Sequence, residues 1–150
     1  MRGARLAALA LALVLGPAGC GGGEDDANQF REDYNAAVDR LNDVNSNIQQ
    51  SGENLAGQSG EQIAQDFNRI ADTAEKTRQE LQDLDPPEDA QDEFDRLLSA
   101  VGQGVDDLRA TADAARQEDQ QRFLEAAQQL SQTGDRISEA ESALKSAVDG

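Results

Sequence analysis

Four acidic clusters, Glu24-Asp25-Asp26, Asp92-Glu93-x-Asp95, Asp106-Asp107 and Glu139-x-Glu141, have the residue types for acid-base or cation chemistry. A carboxylate pair works as acid and base when burial raises one of its two pKa values. At helical spacing all four clusters fall between the apolar positions, so a solvated surface is their expected setting. An EF-hand would need Asp-x-Asp-x-Asp-Gly spacing, which does not occur in the chain. The chain has no His and one Cys, Cys20. That excludes Ser-His and Cys-His nucleophiles, imidazole bases, the Glu-x-x-His units of di-iron bundles and most transition-metal sites. The expectation is no enzyme activity, no cofactor and no metal ligand.

The glycines Gly102, Gly104 and Gly134 raise a second possibility. They fall inside helical patterns, where each costs about 1 kcal/mol relative to Ala. Folding two helices about position 119 brings Gly104 and Gly134 to the same height. Close approach of the two backbones, or a local bend, is the first expectation. A small cavity admitting an apolar ligand is the alternative, and the glycines themselves would supply no polar group to orient it.

The third chemistry is at the amino terminus. Arg2 and Arg5 precede Leu6 to Leu15, an unbroken apolar run of ten residues that ends at Gly16-Pro17. A membrane span needs about 20 apolar residues, whereas an export signal has an apolar region of about 7 to 15 followed by small residues. The closing residues Ala18-Gly19-Cys20 resemble the lipobox of bacterial lipoproteins, with Pro17 where that family usually carries Leu. The resemblance implies a signal peptide over residues 1–19 and acylation of Cys20. It also implies a membrane anchor on the outer face of a bacterial membrane, in the cell envelope. Gly21-Gly22-Gly23 then reads as part of a flexible tether over residues 20–27.

The formal charge is −17, from 13 Lys and Arg against 30 Asp and Glu. Such a field repels nucleic-acid backbones and anionic lipid heads, so no nucleic-acid partner is expected and the bundle should stand off the lipid surface. Composition alone, sparse in large aliphatics and strongly charged, would favour disorder. Placement argues the opposite.

Apolar residues recur at steps of three and four in four stripes. The first runs Phe30, Tyr34, Ala37, Leu41, Val44, Ile48. The second runs Ile63, Phe67, Ile70, Ala74, Thr77, Leu81, Leu84. The third is Ala90, Phe94, Leu97, Val101, Val105, Leu108, Ala112, Ala115, and the fourth Phe123, Ala126, Leu130, Thr133, Ile137, Ala140, Leu144, Ala147. Of these 29 positions 27 are apolar, and Val38, Leu98 and Leu124 widen the stripes toward a bundle face. The period predicts helices over about 27–50, 60–84, 87–116 and 119–148, in an all-α, antiparallel up-down-up-down four-helix bundle spanning 28–150.

Local chemistry sets the expected boundaries. Asp26-x-x-Gln29 and Ser59-x-x-Gln62 read as capping boxes, and Asp85-Pro86-Pro87-Glu88 as a cap with proline in the first turn. Asp119 can cap the fourth helix, although no Gly or Pro forces a turn there. The layout puts Phe30, Tyr34 and Phe94 with Leu81, Leu84 and Leu144 at the tethered end, and Phe67 and Phe123 with Ile48, Leu108 and Ala112 at the other. The charge pairs Asp72 to Lys76, Asp92 to Arg96, Glu118 to Arg122 and Glu141 to Lys145 should support single helices.

From Leu81 to Val148 the pattern Leu-x-x-Leu-x-Pro-Pro followed by two amphipathic helices resembles helical domains of uncharacterised bacterial lipoproteins. What this implies is a coiled coil-like bundle outside the cytoplasmic membrane with no assigned activity. The functional expectation is an interaction module held at the envelope through Cys20 and contacting an envelope protein. The alternatives are a carrier of a small apolar ligand using a cavity near Gly104 and Gly134, or a mobile acidic helical spacer.

Overall fold

Helix α1 spans Gly23–Glu53, α2 Gly60–Gln82, α3 Gln91–Arg116 and α4 Gln120–Asp149, with a short 3-10 turn at Glu88–Ala90 before α3. These bounds come from a computed structural model that describes residues 23–149. The signal segment 1–19 and Cys20 lie outside the described residues. The chain is an all-α four-helix bundle, and no strand occurs among the described residues. None of these helices is long and apolar enough to cross a membrane.

Helix α1 begins earlier than expected. It is already helical at Gly23, so Asp26 is its fourth residue rather than its cap, and the tether expected over 20–27 is helical from residue 23 onward. Glu24, Asp25 and Asp26 then fall in its first turn.

The Ser59 capping box forms as read. The Gln62 amide donates to Ser59 Oγ at 3.3 Å and the Ser59 amide donates to Gln62 Oε1 at 2.9 Å. Between α2 and α3 the prolines end one helix, but the cap differs from expectation. Pro87 stands at the start of the 3-10 turn without a side-chain cap bond, and Asp85 plays no capping part. The Ala90 amide donates to the Pro87 carbonyl at 2.9 Å, so a backbone bond closes the turn instead.

The turn between α3 and α4 is real, and Glu118 makes it. Its φ of 54° is left-handed, and the Asp119 amide donates back to the Ala114 carbonyl at 3.1 Å in the pattern that usually ends in glycine. Asp119 Oδ1 then accepts from the Arg122 amide at 3.1 Å and caps α4. A side chain in this region costs about 1 kcal/mol or more relative to glycine. Glu118→Gly should therefore raise stability by up to about 1 kcal/mol, read as a higher urea midpoint with an unchanged slope.

Two apolar clusters form the core. One joins Phe30, Tyr34, Leu41, Leu81, Phe94, Leu97 and Leu144, with Leu84 packed against it. Phe30 stacks on Tyr34 and meets Phe94 edge-on, both at 5.7 Å between ring centres. The other joins Val44, Phe67, Ile70, Leu108 and Ala112, with Ile48 and Phe123 against it, and Phe67 meets Phe123 edge-on at 6.3 Å. Both groupings agree with the layout read from the stripes. Leu124 does not widen its stripe: it is 62% exposed.

Helix α3 is central, packing extensively on both α2 and α4, while α1 rests mainly on α2 and touches α4 sparingly. The unequal seams show in burial. Leu41, Ile70 and Leu97 are buried, but Ile137 and most of the fourth stripe are only half-buried.

Charge pairing also departs from the four-residue rule. Arg96 pairs with Glu93 at 2.7 Å, Arg122 with Asp119 at 3.6 Å, and Asp72 reaches across to Arg109 of α3 at 4.0 Å. Residues three apart are neighbours on a helix surface just as residues four apart are. Such exposed pairs are worth about 1 kcal/mol at most. Between helices, Arg40 pairs with Glu80 and Arg116 with Glu61 at 3.3 Å.

Candidate binding groove between the first and last helices

The apolar faces of α1 and α4 are turned toward each other yet close over only part of their length. Near the start of α1, Phe30 and Tyr34 join Leu144 in one cluster, and Arg31 donates to the Val148 carbonyl. Beyond them the two helices border a cavity of about 510 Å³. Its α1 wall presents Leu41, Val44 and Ile48, and its α4 wall Phe123, Leu130 and Ile137. Phe67 and Ala74 of α2 and Val101, Gly104 and Leu108 of α3 line the depth between them. Asn42, Asn45 and Gln49 on one side and Ser131 and Ser138 on the other add polar groups.

The charged residues lining the cavity are Asp135 and Glu141, both acidic. Glu141, expected at the solvated surface, is half-buried. Desolvation by burial pushes its carboxyl above the ordinary range. Burial first, and the nearby Glu141 charge second, push the Tyr34 phenol up as well. Lys145, one turn further along α4, is exposed. Because the folded state holds the Glu141 proton more tightly than the unfolded chain, ionised Glu141 subtracts from stability above its raised pKa. The penalty vanishes below the ordinary carboxylate range. Glu141→Gln should therefore raise the melting temperature at pH 7, with the gain shrinking as the pH falls to 4.

The glycines behave differently from the first expectation. A Cβ on Gly104 would sit 3.5 Å from Ile137 Cδ1 and 3.7 Å from Thr133 Cγ2, which is ordinary contact. A Cβ on Gly134 would meet nothing within 4 Å. Neither position enforces backbone approach, and both line the cavity. The close approach occurs instead at Gly60, where a Cβ would overlap the Ala115 carbonyl oxygen. Helix α2 thus starts directly against the end of α3.

Asp107 is the main residue that sequence reasoning misplaced. It is 5% exposed rather than solvated. Thr133 Oγ1 of α4 donates to its Oδ2 at 2.6 Å, and Gln103 Nε2 donates to its Oδ1 at 2.9 Å. Thr111 Oγ1 donates to the Asp107 carbonyl at 2.8 Å. The signal lay in the spacing: Gly104, Asp107 and Thr111 share a helix face, and Thr133 interrupts an otherwise apolar stripe.

Among the remaining cluster residues, Asp92, Asp95, Asp106 and Glu139 are exposed and Glu93 is half-buried. The side chains of Glu24, Asp25 and Asp26 lie outside the described residues. Asp107 and Glu141 do not form a catalytic pair. Thr133, which touches Asp107, is eight residues from Glu141 along α4, about 12 Å at the helical rise. Among the described residues, no group of three or more His, Cys, Asp or Glu is placed to hold a metal ion.

No protein-family model matches the chain, nor does any curated protein or solved structure.

Proposed function

We propose that this chain is an exported, non-catalytic binding protein, held at the outer face of a bacterial membrane through acylated Cys20, whose groove between α1 and α4 takes a small apolar ligand. The observation that carries this reading is the cavity itself. Its volume of about 510 Å³ falls within the range of roughly 300 to 1,000 Å³ typical of small-molecule sites, and such sites combine apolar walls with a few polar groups.

Contact with an envelope protein through the helical faces is the reading suggested by sequence pattern alone. The depth of the groove favours a slender molecule over another helix, because its lining extends past α1 and α4 to Phe67 of α2 and Leu108 of α3. Native mass spectrometry of the intact protein released from its host's membranes tests the choice. A retained small mass supports the carrier. Bare protein, together with an envelope protein captured by crosslinking in living cells, returns the interaction module to first place. The anchor has its own test: Cys20→Ala should move the protein out of the membrane fraction.

A further inference from the structure

We infer that the ligand of this groove is a single-chain cationic amphiphile, its chain lying along Leu41, Val44, Leu108 and Leu130 and its positive head group beside Glu141. The inference rests on the groove being a small-molecule site and adds the chemical class of its occupant.

Size and shape argue for one chain. A cavity of about 150 Å³ holds benzene, so about 510 Å³ takes a molecule of roughly 20 heavy atoms. The α4 wall runs from Phe123 to Glu141, 18 residue steps along the helix, about 27 Å at 1.5 Å per step. That is long enough for an extended chain and its head group.

Charge argues for the sign of the head. The charged residues lining the cavity are acidic, and no Lys or Arg lines it. The whole chain carries −17. A carboxylate head would be brought, partly desolvated, beside like charge, which costs more than the same contact in water. A neutral head would leave Glu141 half-buried with no cationic side chain on the cavity lining to face it. Burial holds the Glu141 carboxyl above its ordinary range, and a cation beside it would offset that cost by favouring the ionised form. Asn42 and Ser138 line the same cavity and offer oxygen acceptors to an ammonium or to its water.

The test uses the full chain, titrated calorimetrically with decyltrimethylammonium, decanol and decanoate below their micellar concentrations. The expected result is one saturable site with the cation bound at least tenfold more tightly than decanoate. Glu141→Gln should weaken the cation at least fivefold. Glu139→Gln makes the same change in net charge at an exposed residue off the cavity lining and should change affinity less than twofold. Gly134→Leu adds volume at the cavity and should weaken all three ligands while the protein stays folded by circular dichroism. Equal affinity for the three head groups overturns the cationic assignment and leaves the groove reading intact. Failure of all three to bind, or unsaturable uptake indifferent to Glu141→Gln, overturns both.

Discussion

Gly60→Ala should destabilise the bundle by about 3 kcal/mol, the upper part of the range for overpacking a tightly filled site. The added methyl would overlap the Ala115 carbonyl oxygen and stand 3.2 Å from its carbon. Backbone cannot swing aside as a flexible side chain can, so either the start of α2 or the end of α3 must shift. The Ser59 capping box begins one residue earlier and Arg116 pairs with Glu61 one residue later, so a shift would disturb both. Ordinary helix propensity predicts the opposite sign, because Ala is about 1 kcal/mol better than Gly in a helix interior. Gly102→Ala is the matched control: its methyl would lie 3.6 Å from Arg78 Cδ and should raise stability by up to about 1 kcal/mol. Urea unfolding followed by circular dichroism separates the two. Equal and positive shifts at both sites would mean that α2 and α3 do not meet at Gly60.

Thr133→Val should cost about 2 kcal/mol, within the roughly 1.5 to 3 expected for a hydrogen bond to a charged group. The substitution preserves shape and removes the hydroxyl that donates to Asp107 Oδ2 at 2.6 Å. Thr133 is fully buried and Asp107 nearly so, which leaves the lost donor without easy replacement by solvent. The double variant Asp107→Val/Thr133→Val should recover most of the loss, since replacing both buried partners by apolar groups removes the desolvation cost with the bond. A double-mutant cycle should therefore give a coupling well above 0.5 kcal/mol. Additive losses would mean that the two side chains act independently.

The fold was legible because its driving force is periodic. Leu41, Ile70, Leu97 and Leu144 recur at helical steps and end up buried, and the aromatic groupings follow from folding those stripes back on one another. The α3 to α4 turn was legible from Asp119, but its left-handed residue was not, since Glu118 carries none of glycine's freedom. Asp107 was hidden for a different reason. Its burial depends on α4 supplying Thr133, a contact 26 residues away that local pattern does not encode. The groove was half legible. Gly104 and Gly134 marked its height, but its opening depends on the unequal seams of α1, a property of packing rather than of spacing. Glu141 was misplaced by the same omission, because its neighbour Tyr34 comes from α1.

The sparse seam between α1 and α4 also gives the molecule a mechanical grain. A load entering at Gly23 is carried by α1, whose principal support is α2, whereas α2, α3 and α4 hold one another through two extensive seams. Tension along the chain would peel α1 away like a strip before shearing the other three helices apart. Force on the amino-terminal side would widen the mouth of the groove, whereas the same pull on α3 would be resisted on both flanks.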